Sequence, residues 1–401
     1  MAGKSAKKDG KKKSAKKKAA VKSTRKAAAP VIYKGLAGVT VDTTAVSKVM
    51  PETNSLTYRG YAVQDLAASC RFEEVAYLLL HGELPTRRQL NAFVKDERSR
   101  REISRPHVEV IRQYPRRAHP MDTLRTSVSY LGTTDTAWGG EPRERDLDRA
   151  MNLLAKIPTM IATDYRFRKG RPRKKPRADL SMSENFFHMC FGEVPPKEVI
   201  RAFDTSLILY AEHSFNASTF TARVITSSRS DIYSAVTGGI GSLKGPLHGG
   251  ANEAVMKNLL EIRTVKRAEP WLRQKFADKG LVMGFGHRVY KHGDSRVPTM
   301  RKALEDLAAW KGDSKWLDIS DVLQKIMVEE KGIYPNLDFP AGPAYYLMGF
   351  EIDMYTPIFV MSRITGWSAH VLEQNANNAL IRPLSVYTGV KQRKIKPISK
   401  R

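Results

Sequence analysis

The pattern of apolar and polar positions divides the chain into three stretches. Residues 1–29 are built from Lys, Ala and Ser with almost no large apolar side chain. Such a segment buries too little surface to offset its ordering entropy, so disorder is predicted there. From Gly38 to Tyr61 the pattern turns short and β-like. Val39-Thr-Val-Asp-Thr-Thr-Ala-Val alternates, Pro51-Glu-Thr-Asn reads as a turn, and Leu56-Thr-Tyr completes a small ribbon. Beyond Tyr61 the signal is helical. Val63, Leu66, Ala67, Phe72, Val75, Leu78 and Leu79 suit one or two amphipathic helices ending at His81-Gly82, and Pro85-Thr-Arg opens another. Pro195-Pro-Lys-Glu starts a strong helix to about His213. Further helices are predicted over Ile232–Ser242, His248–Ile262, Pro270–Lys279, Pro298–Trp310, Trp316–Glu330 and Pro357–Ala376. The expected fold class is mainly α, with a small N-terminal β ribbon.

Composition adds three constraints. A chain of 401 residues can hold one large domain or two ordinary ones. Its two cysteines, Cys70 and Cys190, form no CxxC pair, which disfavours a disulfide framework or zinc cluster and fits a reducing compartment. No apolar run approaches the roughly 18 residues of a membrane span, so a soluble, cytoplasmic protein is expected. The net charge of +27 suggests nucleic acid until it is located. Residues 1–30 contribute +11, the run Arg166 to Arg177 contributes +8 and Lys391 to Arg401 contributes +6, leaving about +2 for the rest. The folded body is nearly balanced, and the tail reads as a solvated or weakly polyanion-binding appendage. A nucleic-acid-associated protein working through that tail is the alternative from a different class.

Four glycine-flanked clusters interrupt the helices: Ala211-Glu-His-Ser-Phe-Asn-Ala-Ser-Thr, Gly245-Pro-Leu-His-Gly-Gly-Ala-Asn-Glu, Gly284-Phe-Gly-His-Arg-Val-Tyr-Lys-His-Gly-Asp-Ser-Arg and Tyr334-Pro-Asn-Leu-Asp-Phe-Pro-Ala-Gly. Each puts a His or Asp at a helix end or tight loop, where glycine lets backbone approach a ligand. Arg363 and Arg382 follow in otherwise apolar or structural surroundings. Singly, each residue has a structural reading: a Gly-His step caps helices, Asp338 could cap the helix after it, and Arg363 could be an ion-pair partner. Other chemistries fail on context. Gly239-Ile-Gly241 lacks a preceding strand and a third glycine in place, and there is no phosphate-cradling GxxxxGK[ST], no HExxH and no GxSxG elbow.

Together, in this order, these clusters resemble the citrate synthase family from about Gly35 to the C-terminus. The wording AEHSFNASTFTARV, GHRVYKHGDSRVPTM, NLDFPAGPAYYLMGF and TPIFVMSRITGW is most similar to the 2-methylcitrate synthase branch of actinobacterial type. The resemblance implies a helical homodimer. A large domain would comprise residues 31–246 and 344–401, and a small domain, 247–343, would close over substrate. It implies condensation of propionyl-CoA or acetyl-CoA with oxaloacetate, without metal or redox cofactor. A dedicated citrate synthase is the alternative within the family. By the same resemblance Asp338 is the general base, His248 stabilises the enol, His287 polarises the ketone, and His213, Arg296 and Arg363 bind oxaloacetate. Arg382 is the arginine contributed across the dimer interface, and Gly284, Phe285, Gly286, Arg288 and Lys291 face CoA. Ser214 stands where many citrate synthases carry an acid, and Pro340 and Pro343 shape the segment beside the base. That segment is expected to leave room for the extra methyl group of propionyl-CoA.

Overall fold

The computed structural model describes residues 31–136, 141–287, 289–290 and 293–401. The tail over 1–30, and the disorder expected of it, lie outside the described residues. Two compact units result. In one, the described residues are 31–42 and 383–401; the other runs from Thr43 to Arg382.

The larger unit opens with a three-stranded antiparallel sheet, β1 (Ser47–Met50), β2 (Ser55–Tyr58) and β3 (Tyr61–Ala62), in that order. Ser47 pairs with Tyr58 and Thr57 with Ala62. The expected turn is present, with Asn54 at φ +48° and its N–H bonded to the Pro51 carbonyl at 3.3 Å. The expected strand over Val39–Val46 is not: pairing begins at Ser47. The reason is length. After Tyr58 the chain reverses through Arg59 and Gly60, both at positive φ, so β2 offers nothing opposite residues before Ser47.

Sixteen α-helices follow among the described residues: α1 (Val63–Ser69), α2 (Phe72–His81), α3 (Arg87–Arg100), α4 (Arg105–Arg112), α5 (Pro120–Thr133), α6 (Pro142–Arg168), α7 (Met182–Phe191), α8 (Lys197–Tyr210), α9 (Ala217–Ser227), α10 (Ile232–Leu243), α11 (Ala251–Ile262), α12 (Val265–Ala277), α13 (Val297–Lys311), α14 (Lys315–Lys331), α15 (Asp338–Leu347) and α16 (Tyr355–Ala376). Their ends follow from side-chain chemistry. Thr86 and Gln89 form a reciprocal capping box at the start of α3, as do Ser181 and Glu184 at α7. Asn216 and Asp231 accept N–H bonds that begin α9 and α10. Gly82, Gly312 and Gly332 close α2, α13 and α14 in the left-handed region.

Two expected helix starts need correction. Helix α12 begins at Val265, not at Pro270, which is accommodated inside the helix; proline's φ is helical, and its cost there is one hydrogen bond and a carbonyl clash. Helix α11 begins at Ala251, leaving His248 in the turn before it. The Arg166–Arg177 run is anchored at Arg166 and Arg173, while Lys169, Arg171, Lys175 and Arg177 are exposed. Arg166 is buried, its Nε 2.5 Å from the Pro172 carbonyl and its Nη1 3.1 Å from that of Cys190, while Arg173 meets Glu102 at 2.6 Å.

Helix α16 is the axis of the core. Nearly every residue from Tyr355 to Leu372 is buried, and the helix packs on α6, α8, α9 and α10. Gly366 permits one of these approaches: a Cβ there would run into Glu212 and the Ala211 carbonyl. Helices α11 and α15 also cross closely, at Gly342, where a Cβ would lie 2.9 Å from the Asn252 carbonyl oxygen. These two contacts fix the segments that carry the polar clusters.

Candidate active site

Four of the predicted residues reach one place from four parts of the chain. His213 follows α8, His248 precedes α11, His287 lies in the loop before α13, and Asp338 is the first residue of α15. A short backbone pairing holds two of these loops together. Phe285 bridges Pro335, Gly286 N–H bonds to the Tyr334 carbonyl at 2.8 Å, and Asn336 N–H bonds to the Gly284 carbonyl at 2.9 Å. The Asn336 side-chain amide then donates to the Gly286 carbonyl at 2.9 Å. Gly284 has φ +86°, and a Cβ there would sit 2.6 Å from Val255 and 3.0 Å from Phe339, so both conformation and space require glycine.

Asp338 is half-buried, and Tyr210 donates its hydroxyl to Oδ1 at 2.6 Å. Burial pushes its carboxyl up to about 6, against the Tyr210 hydrogen bond and the Arg296 guanidinium, which both lower it. The carboxyl is therefore poised near neutrality.

The histidines are held neutral. Burial brings His248 down to about 3, with Arg363 adding to the shift, and His287 down to about 4, with Arg296 adding. His213 is held well below its usual value by burial and then by Arg296. Hydrogen bonding assigns the tautomers. At His287, Nδ1 accepts from the Val289 and Tyr290 N–H groups at 3.0 and 3.2 Å, leaving the proton on Nε2. At His248, the Ser218 N–H points at Nε2 from 3.3 Å, with the Ser218 hydroxyl at 2.8 Å, which makes Nε2 the acceptor and leaves the proton on Nδ1. Each imidazole thus offers one N–H.

Aromatic contacts tie the groups together. Tyr210 lies 4.2 Å from Phe359 between ring centroids, His248 lies 6.3 Å from the same ring, and the Arg363 guanidinium covers it at 4.7 Å. His213 and His287 are 5.1 Å apart, and both contact Tyr290. The arginines differ. Arg296 is buried in a two-pronged pair with Asp294, at 2.9 and 2.7 Å, which leaves Nη1 3.4 Å from the Leu209 carbonyl. Arg363 is buried, its Nε bonded to the Tyr210 carbonyl at 2.7 Å, and burial brings it down to about 10 while Glu212 opposes the shift. Arg363 Nη1 and His213 Nε2 are buried without a hydrogen-bond partner among the described residues. Native interiors rarely leave such groups unpaired without a reason.

Arg382 is exposed just past the end of α16, and no contact among the described residues joins it to this cluster. Arg288 and Lys291 lie outside the described residues. Tyr210, Ser218, Asp294 and the buried Glu212–His370 pair at 2.9 Å are not among the residues expected from the sequence. All but His370 stand inside or next to the motifs already singled out, but no spacing rule marks a Tyr just before a His motif as the partner of a carboxylate over a hundred residues away.

The family model for the citrate synthase C-terminal domain matches residues 35–384. A citrate synthase of Mycolicibacterium smegmatis is 58% identical over 92% of this chain and 98% of its own length. A 2-methylcitrate synthase of Mycobacterium tuberculosis is 58% identical over 91% and 92%. Among solved structures, the ternary complex of carboxymethyl coenzyme A and oxaloacetate with the citrate synthase of Thermoplasma acidophilum superposes with a TM-score of 0.88 at 34% identity, over 92% of this chain and all of that one. With the helical architecture, the order of the clusters and these likenesses agreeing, the chain belongs to the citrate synthase family.

Proposed function

We propose that the protein condenses a short acyl-CoA with oxaloacetate and water, releasing CoA and 2-methylcitrate or citrate. The observation that carries this reading is a half-buried carboxyl near pH 6, bonded to Tyr210, with the neutral His248 sharing the Phe359 ring with that tyrosine and the neutral His287 set near Arg296, each imidazole with one N–H to offer. A proton α to a thioester is weakly acidic, so a carboxylate removes it only if the developing enolate oxygen meets a donor. Asp338 takes the proton, and His248 Nδ1–H meets the enolate oxygen. The enolate carbon then attacks the oxaloacetate ketone, whose oxygen gains negative charge against His287 Nε2–H. Hydrolysis of the condensed thioester completes the reaction. The unpaired Arg363 Nη1 and His213 Nε2 are the groups that oxaloacetate's polar atoms would meet, with Arg296 held in orientation by Asp294. The loop at Gly284, Phe285 and Gly286 would face CoA. A cytoplasmic setting is part of the proposal; no helix among the described residues is long and apolar enough to cross a membrane, and both cysteines are free and buried.

The assembly is part of the proposal. The unit formed by the two chain ends exposes Val31, Tyr33, Leu384, Tyr387, Ile395 and Ile398, several of them more than 70% accessible. A second copy of the chain would cover this apolar surface and receive Arg382 at its site. The segment 247–343 would then close as the small domain, excluding water until the acyl-CoA reacts.

Two acyl groups are in contention, because relatives with either name are equally similar to this chain. One methylene changes discrimination by only about 1–3 kcal/mol, so both thioesters should turn over. A thiol-release assay with oxaloacetate and either propionyl-CoA or acetyl-CoA tests the reading. Release with both, at comparable or higher kcat/KM for propionyl-CoA, is expected. A strong acetyl-CoA preference would favour the dedicated citrate synthase, and no oxaloacetate-dependent release with either would reject the condensation.

A further inference from the structure

At the end of α6 the chain borders a cavity of about 340 Å³ that is lined by none of the residues of the candidate active site. Arg112, Arg116, Arg168 and Arg171 line it, with Asp164 and Phe167. The single carboxylate is already committed: Asp164 accepts from Arg168 Nε at 2.6 Å and from the Thr123 hydroxyl at 2.9 Å. Arg168 is fixed further by its Nη1, which bonds to the Arg116 and Ala118 carbonyls, while its Nη2 is buried with no partner among the described residues. Arg112 lies over the Phe167 ring at 5.0 Å and has only a loose contact with Glu109, at 3.6 Å. Arg116 and Arg171 are exposed and have no ion-pair partner among the described residues. The lining therefore combines one guanidinium locked in place, two with no counter-charge, and an aromatic wall.

From this geometry we infer a second anion site, separate from the condensation site, that takes a phosphate ester. Planar guanidinium forks match phosphate oxygens in pairs, and a phosphate carries more charge than a carboxylate for such a cluster to meet. The volume sits at the small end of ligand pockets, suited to a phosphorylated metabolite or one end of a nucleotide. Two sources share that chemistry: a free nucleotide, and the phosphorylated nucleotide end of the acyl-CoA substrate.

Calorimetric titration distinguishes them, using ATP and adenosine 3′,5′-bisphosphate with and without saturating CoA and oxaloacetate. The exposed pair Arg116→Ala/Arg171→Ala is the comparison, with unchanged thermal unfolding as its control for folding. If the ligand is a free nucleotide, the wild type keeps a binding event under saturating CoA. The double variant weakens that event by about tenfold or more, with KM for acyl-CoA unaltered. If the ligand is the substrate's own phosphate, CoA abolishes the bisphosphate signal and KM for acyl-CoA rises in the variant by a similar factor. A variant that matches the wild type in both binding and KM overturns the site. The binding readout is independent of turnover, so its failure leaves the condensation reading untouched.

Discussion

At the scale of single residues, the site works by setting protonation states apart. Asp338 near 6 is ionised above that pH, and as the proposed base it would act only in that form, so kcat/KM should rise through about pH 6 and then level. Tyr210 donates a hydrogen bond that favours the carboxylate. Tyr210→Phe should therefore move the acid limb upward by about one pH unit, since a bond to a charged group is worth about 1.5–3 kcal/mol and one unit is about 1.4. A limb that stays in place or moves down would show that Tyr210 does not tune the base. Asp338→Asn should lower kcat by about a thousandfold or more while leaving the fold intact, checked by the thiol-release assay alongside thermal unfolding. The orphaned Arg363 Nη1 belongs to the same scale. Arg363→Lys should raise KM for oxaloacetate more than KM for acyl-CoA, because a lysine ammonium cannot reproduce the fork.

At the scale of elements, helix crossings hold the chemistry in register. Asp338 heads α15, and α15 meets α11 at Gly342. Gly342→Ala would place a methyl 2.9 Å from the Asn252 carbonyl, forcing the helices apart. A loss of about 1–3 kcal/mol is expected, with a lowered melting temperature and a lowered kcat. Legibility divides along the same line. Helices with a clear apolar stripe and an end signal, such as α2 with Gly82 or α3 with Thr86, are readable from sequence alone. Helix α6 is not, because burial of Asp146, Arg149, Asp164 and Arg166 alongside its apolar residues erases the stripe, and Pro158 inside it imitates a break. Helices α4, α5, α7 and α9 are likewise outside the expected set, α4 being short. The site is legible as motifs: Asp338 meets Tyr210, whose ring lies against Phe359 as His248 does, and His287 lies against His213. The supporting partners are not, since Tyr210, Ser218 and Asp294 acquire their roles only when distant segments meet.

At the scale of the whole molecule, the question is what one chain lacks. Arg382 stands exposed, away from the cluster it is proposed to complete in a second subunit. Mixing an Asp338→Asn subunit with an Arg382→Ala subunit tests this directly. If the arginine acts across the interface, each mixed dimer holds one intact site, and an equal mixture should recover about a quarter of wild-type activity. If it acts within its own chain, every site stays damaged and nothing is recovered. The pairing of Phe285 with Pro335, reinforced by Asn336, carries a last consequence. It makes His287, proposed to face the ketone, and Asp338, the proposed base, parts of one cross-stitched cassette. An engineer transplanting acyl preference from a relative would have to carry residues 284–287 and 334–338 as a single graft, since either strand moved alone would arrive without its seam.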